Sequence, residues 1–285
     1  MSGTTIGTQS GDTDAWKPWL DDQWIDSGPQ TPNVPMRGAQ PSAPFALTAG
    51  KTTEVLRIAP NSIPTGLDLD PQNKHSAVRG AIISAAFLLR RVFCDQLDID
   101  PDEIEVARIA RRPLNSVRGF AEIILNDTLV NGAGFVSEMG RKFDVLLRDT
   151  CLPNDPQSYA GNILSPQHQN VCDLACYDCL KVFRNMHYHG LLDWRLGVAY
   201  TRILLDSTYR AGLDGNFQQP ELVGWDATTR SLRDEFITAF GYTAMDWGQL
   251  PGFVLPSGQQ YAVVHPLWDT RTPDGIVLDA VLATG

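Results

Sequence analysis

The sequence predicts a mixed α/β (α+β) protein: a zinc-stabilised domain with helices packed on a small mixed sheet, preceded by a flexible N-terminal arm. Three observations carry that reading. "HSAVRGAIISAAFLLRRVFCDQL" places apolar residues three or four apart, at Val78, Ile82, Ala85, Leu89 and Val92, the period of a core-facing helix. "EIEVARIA" (103–110) and "GFAEIILNDTL" (119–129) read as strands. Finally, three of the five cysteines fall within eight positions, spaced C-x3-C-x2-C at Cys172, Cys176 and Cys179.

Taken in chain order, residues 1–45 are rich in Gly, Pro, Ser, Thr and Asp without an apolar period, as expected of a mobile arm. Within it, "DAWKPWLDDQWID" sets Trp16, Trp19 and Trp24 among acids, a composition suited to anchoring on a partner. "TTEVLRIAP" (52–60) reads as a strand, followed by the helix above and the turn "DIDPD". After the two strands, "NGAG" (131–134) makes a tight turn whose glycines supply permissive backbone angles. Strand, glycine turn and helix in that order can also gather backbone N–H groups around an anion, although no phosphate-loop motif is present. "FVSEMGRKFDVLLRD" is an amphipathic helix, and "TCLPNDPQSYAGNILSPQHQN" is irregular. "GLLDWRLGVAYTRILLDS" (190–207) and "TRSLRDEFITAFGY" (229–242) read as helices. "GFVLP", "QYAVVHPLW" and "GIVLDAVLA" read as short terminal strands. The expected organisation is an arm (1–45), a zinc-binding domain (46–207) and a C-terminal α/β extension (208–285).

Composition narrows the function. A net charge of −10 argues against a protein that coats nucleic acid unaided, because such affinity comes from Lys and Arg neutralising phosphates. The candidate basic face is "RIARRPLNSVR", with Arg108, Arg111, Arg112 and Arg118, although such charge runs are commonly no more than solvated surface. No run of 18 apolar residues occurs and the N-terminus has no secretory pattern, which points to a cytoplasmic protein. In that reducing compartment, clustered cysteines suggest a metal or redox chemistry.

Tetrahedral zinc needs four donors. Cys172, Cys176 and Cys179 supply three; for the fourth, Cys151 is favoured, with His168 in "SPQHQNVC" as the alternative. A redox dithiol would want C-x-x-C at a helix start after a strand, whereas here a loop precedes it and a third cysteine crowds it. A catalytic zinc would keep a position open for water, and His187, His189 and Asp193 follow at short range. These three read better as capping and packing residues, which leaves structural zinc as the expectation. Cys94, among Val92, Phe93 and Leu97, reads as a buried small residue.

"CDLACYDCLKVFRNMHYHGLLDW" resembles the helicase-associated MZB (MrfA-type zinc-binding) domain, found in superfamily 2 DEAD/DEAH-box helicases and DrmB-type DISARM subunits. Cys172, Cys176, Tyr177, Cys179, Leu180, Phe183, Asn185, His189, Leu192 and Asp193 fall on its pattern. Upstream, "LTAGKTTEVLRI", "DIDPDEIEV" and "AEIILNDTLVNGAGFV" are similar to its segments, so the likeness covers roughly residues 46–205. Met186 stands where that family has glutamine, and Trp194 where it has arginine.

The resemblance implies a non-catalytic accessory subunit of a superfamily 2 helicase or ATPase, engaging DNA through the complex in bacterial antiphage defence or DNA repair. Structural support would come from Asn185, His189 and Asp193, weak nucleic-acid contact from the four arginines, and partner docking from Trp16, Trp19 and Trp24. No Walker A or D-E-x-[HD] motif is present, in keeping with a chain that is not itself an ATPase. Two other classes stay open: a metal-dependent nuclease or hydrolase using Glu122, Asp127 and Asp193, and a purely structural assembly protein.

Overall fold

The computed structural model describes residues 6–7, 46–47, 52–72, 76–115 and 118–283. The expected arm tryptophans, Trp16, Trp19 and Trp24, lie outside the described residues. The chain is a mixed α+β protein that divides into two compact units, one built from residues up to Ala59 and Arg90–Leu146, the other from Pro60–Leu89 and Leu147 onward. Residues 208–285 belong to the same unit as 147–207. Among the described residues, no helix is long and apolar enough to cross a membrane.

In the first unit, β1 (Ile6–Gly7) and β2 (Ala46–Leu47) pair antiparallel. Strands β3 (Val55–Ile58), β4 (Ile104–Pro113) and β5 (Gly119–Asp127) form an antiparallel sheet in the order β3-β5-β4. Period-two alternation puts Ile58, Ile123 and Ile109 in one cross-strand row and Leu125 and Val106 in the next, and all five are buried. On the opposite face, Glu122 accepts hydrogen bonds from both Arg57 and Arg112. Helix α1 (Ser76–Leu97) ends in this unit, where Arg90 donates to the carbonyls of Pro101 and Ile104 and so ties the helix to the start of β4. Cys94 is buried there, and burial pushes its thiol up to about 12.

The turn after β5 is the tightest piece of this unit. Asn131, Gly132 and Gly134 all take left-handed φ values of 69°, 78° and 84°. A Cβ on Gly132 would meet Glu54 Cγ at 2.9 Å, so both the backbone angle and the space require glycine. The turn aims the N–H groups of Ala133, Gly134 and Val136 at the fully buried Asp127 carboxylate, at 2.6, 2.8 and 3.0 Å. The anion that this strand–turn–helix order gathers is the chain's own carboxylate. Beyond it, the helix expected as one piece is two, α2 (Phe135–Arg141) and α3 (Phe143–Cys151), broken at Lys142 just after the weak helix former Gly140.

In the second unit, the first part of α1 crosses α6 (Trp194–Leu205) at small residues. A Cβ on Gly197 would come within 2.9 Å of Ser84 Cβ, so the two helices are closer than most side chains allow. The stretch expected to be irregular contains two short helices, α4 (Tyr159–Leu164) and α5 (Pro166–Val171), whose first N–H groups are capped by the hydroxyls of Ser158 and Ser165. Helix α7 (Trp225–Phe240) is followed by β6 (Thr243–Trp247), β7 (Leu250–Val254) and β8 (Gln260–Ala262), an antiparallel sheet in sequence order. "GIVLDAVLA", expected as a strand, is instead helix α8 (Gly275–Ala283). A short run that is apolar but for Asp279 carries too little period to tell helix from strand; here Ile276, Val277 and Ala280 are buried at helical spacing. The unit is closed by Gly66–Asp68, whose backbone bonds to Leu267 and Asp269 while Arg271 bridges the carboxylates of Asp68 and Asp269.

Asp127→Ala removes a buried carboxylate to which three turn N–H groups donate; that of Val136 is buried and costs about 1–3 kcal/mol when unsatisfied, whereas those of exposed Ala133 and half-buried Gly134 can turn to water. The expected outcome is a loss of about 1–3 kcal/mol in urea unfolding, with Asp127→Asn, which keeps one acceptor oxygen, in between.

Candidate metal centre

Between α5 and α6 the chain wraps four donor atoms into one place: His168, Cys172, Cys176 and Cys179 all lie within 4.8 Å of one another. Each is positioned by local structure. Ser165 caps α5, so His168 and Cys172, four residues apart, stand on the same side of a single helical turn. The Cys172 N–H closes that helix on the His168 carbonyl at 2.9 Å. The next turn is organised by backbone-to-sulfur bonding, with Cys176 N–H donating to Cys179 Sγ at 3.1 Å. The Tyr159 hydroxyl of α4 donates to the Cys179 carbonyl and fastens the turn from outside.

The spacing can be tested against metal geometry. A tetrahedral ion with sulfur at about 2.3 Å and nitrogen at about 2.0–2.1 Å sets S···S pairs about 3.8 Å apart and S···N pairs about 3.6 Å apart. In the protein, Cys172 and Cys179 Sγ are 3.8 Å apart, Cys176 and Cys179 Sγ 3.5 Å, and Cys176 Sγ and His168 Nε2 3.6 Å. All five cysteines are free thiols. The donor set therefore fits a single tetrahedral ion.

The imidazole is prepared for this role. His168 Nδ1 lies 2.9 Å from the Ile163 carbonyl, which can only accept, so Nδ1 carries the proton and Nε2 presents its lone pair to the thiols. Burial holds its pKa below the ordinary histidine value, which keeps the ring neutral. Burial, and after it the neighbouring Cys179, pushes the Cys172 thiol up, and burial does the same to Cys179. Cys172 and Cys179 thus resist ionising on their own; a bound cation reverses that balance.

Here the structure corrects the favoured ligand set. Cys151 is absent from the cluster: it ends α3, where Arg202 donates to its carbonyl and burial pushes its thiol up to about 12. Arg202 in turn forms a buried bidentate pair with Glu221, which also accepts from the Tyr209 hydroxyl. The intervening chain is taken up by α4 and α5, so sequence separation says nothing about reach. His168 wins because helical geometry brings it back over Cys172.

The three supporting residues all act on this knuckle. Fully buried Asn185 donates to the Leu180 carbonyl and accepts from Val182 N–H, closing the segment after Cys179. His189 Nε2 lies 3.1 Å from the Val182 carbonyl and 3.0 Å from Asn185 Oδ1; both are acceptors, so Nε2 carries the proton. Asp193 caps α6 by accepting from the N–H groups of Arg195 and Leu196, and its own N–H donates to Ser84 Oγ. Two residues that the sequence reading gives no role, Trp194 and Arg195, grip the knuckle from α6. The Trp194 indole N–H and the Arg195 guanidinium both donate to the Cys172 carbonyl, and the Trp194 ring lies 5.3 Å from that of His168. The signal that could have found them is a tryptophan at a helix start followed by arginine.

The remaining candidates lie elsewhere. Within the first unit, Glu122 is bound by Arg57 and Arg112, and Asp127 by its turn. Of the four arginines, Arg108 and Arg112 share a strand face, Arg111 sits over Gly119, and Arg118 belongs to the turn before β5. Beside the knuckle a cleft of about 480 Å³ opens between Leu174, Arg195, Trp225 and Leu232.

Among known proteins, the chain is 29% identical over 110 residues to Druantia protein DruE of Escherichia coli (strain UMEA 4076-1). That match covers 39% of this chain and 5% of the relative's length, so the chain corresponds to a small part of a far longer polypeptide. No family model matches the chain, and no solved structure matches it.

Elemental analysis of purified variants checks the donor set. His168→Ala and Cys176→Ser are expected to lose bound metal, whereas Cys151→Ser keeps it at the native ratio. Metal loss in Cys151→Ser with retention in His168→Ala would reverse the assignment.

Proposed function

We propose that the chain is a non-catalytic zinc-binding accessory subunit or module of a superfamily 2 DNA helicase or translocase in antiphage defence or DNA repair. The observation that carries this reading is the four-donor cluster. Three thiolates and one imidazole at tetrahedral spacing suit zinc among the common divalent ions, and a donor set completed by the protein is the pattern of a structural site. Zinc supplies a fixed divalent charge that lets buried thiols ionise together. The chain's own residues do the rest: Ile163 fixes the His168 tautomer, Asn185 and His189 close the knuckle, and Asp193, Trp194 and Arg195 couple it to α6.

The similarity to Druantia protein DruE supports the defence setting, and its small share of that protein's length supports a module that acts as part of something larger. The likeness of the knuckle to the helicase-associated MZB pattern supports a motor as the partner. No observation favours the nuclease reading, since Glu122, Asp127 and Asp193 each hold an internal partner. DNA is engaged within the complex, with the motor supplying ATP hydrolysis.

The test is purification of the tagged full-length chain from its own host cells. A stoichiometric superfamily 2 ATPase is expected in the complex, along with one zinc per chain and DNA-stimulated ATP hydrolysis that the chain alone lacks. Recovery of the zinc protein without any ATPase, or divalent-ion-dependent DNA cleavage by the chain alone, would sink the proposal.

A further inference from the structure

From Cys179 to Leu192 the chain carries Lys181, Arg184, His187 and His189 and no Asp or Glu, in a protein with 33 acids against 23 Lys and Arg. This acid-free stretch is the second half of the knuckle. Interleaved with its cations are side chains that ought to be buried and are not: Phe183 is 81% exposed and Met186 58%. Tyr177, from the first half, is 73% exposed.

The geometry brings these groups to one surface. The Lys181 N–H donates to the Cys176 carbonyl at 2.9 Å, so Lys181 lies beside the Cys176–Tyr177 turn. The Tyr177 ring meets His189 edge-on at 5.8 Å, and His189 in turn bonds the Val182 carbonyl and Asn185 Oδ1, the residues that flank Phe183 and Arg184. Two exposed rings and two cations are thus held by one clasp whose backbone is pinned on the inside by Asn185 and the thiols. The rings gain nothing for the fold by facing water.

We infer that this outer face of the knuckle is a binding surface for single-stranded nucleic acid, with Tyr177 and Phe183 as stacking platforms and Lys181 and Arg184 as phosphate contacts. Every base has a π-face, so exposed aromatics among cations take a single strand without regard to sequence, and a rigid scaffold lowers the entropy cost of stacking. A duplex keeps its bases stacked on each other and offers those rings nothing. The local excess of positive charge, in a chain that is otherwise acidic, selects a polyanion. The acids bordering this stretch in sequence are Asp178, next to Tyr177, and Asp193, the cap of α6. This inference rests on the zinc-module reading and adds the ligand that the module would hold for its motor.

The test is fluorescence anisotropy of the full-length, zinc-loaded chain with labelled oligothymidylate, oligouridylate and a DNA duplex, each about 20 nucleotides long so as to exceed one site. Binding of either single strand, tighter than the duplex, is expected, and the two homopolymers tell a DNA ligand from an RNA one. Tyr177→Ala and Phe183→Ala should each weaken binding about tenfold. Lys181→Glu and Arg184→Glu should weaken it and shrink the salt slope by about 0.7 for each phosphate no longer neutralised. None of the four residues is buried, so zinc content and thermal unfolding should stay native. Native protein that binds no single strand, aromatic variants that bind as well as native, or equal affinity for duplex would overturn the inference. So would loss of ATPase co-purification in Phe183→Ala with oligonucleotide binding intact, since the surface would then be a protein interface. Zinc content and ATPase capture are read separately, so this inference can fail while the module reading stands.

Discussion

The convergence of His168, Cys172, Cys176 and Cys179 is the constraint on which the segment between α5 and α6 depends. Around these donors Leu180, Tyr188 and Leu192 are buried, whereas Leu174, Tyr177, Val182, Phe183 and Met186 all face solvent. Apolar burial thus offsets only part of the cost of ordering the segment, about 1–2 kcal/mol of backbone entropy per residue. Binding a structural zinc is worth about 10–16 kcal/mol in zinc-finger peptides, as much as the whole net stability of a typical domain. A metal-held knuckle can thus leave its side chains facing outward, where a segment held by a core would have to turn them in.

Helix α6 transmits that local order to the body of its unit. The residues at its start act together: Asp193 caps the helix and anchors to Ser84, while Trp194 and Arg195 hold the Cys172 carbonyl. The close crossing at Gly197 then fixes α6 against α1, so the orientation of the knuckle is inherited from helix packing. Further along the same helix, Arg202 is occupied with Glu221 and with the backbone of Cys151. Burial, which pushes its thiol up to about 12, leaves that cysteine a packing role.

The other unit uses polar groups in the same economical way. The Asp127 carboxylate replaces a bound anion at the head of α2, and Glu122 links β3 to β4 through two arginines across the face of β5. Acids that look chemically active in the sequence are here part of the scaffold. The four-donor segment, by contrast, exposes Tyr177 and Phe183 to solvent.

Much of the scaffold was legible because its signals are local. The 3.6-residue period of α1, the alternation in β4 and β5, the glycine turn at 131–134 and the C-x3-C-x2-C spacing each express geometry over a few residues. The sequence by itself thus determined the α+β class and the close spacing of the three thiols in the cluster. Only the tertiary structure decided that His168 completes the donor set in place of Cys151, that the Asp127 carboxylate fills the turn, that "GIVLDAVLA" is a helix, and that Trp194 and Arg195 grip the site. Each of these depends on where distant segments meet in space. A donor far upstream and one a single helical turn away look equally able to reach a metal until the path of the chain between them is known.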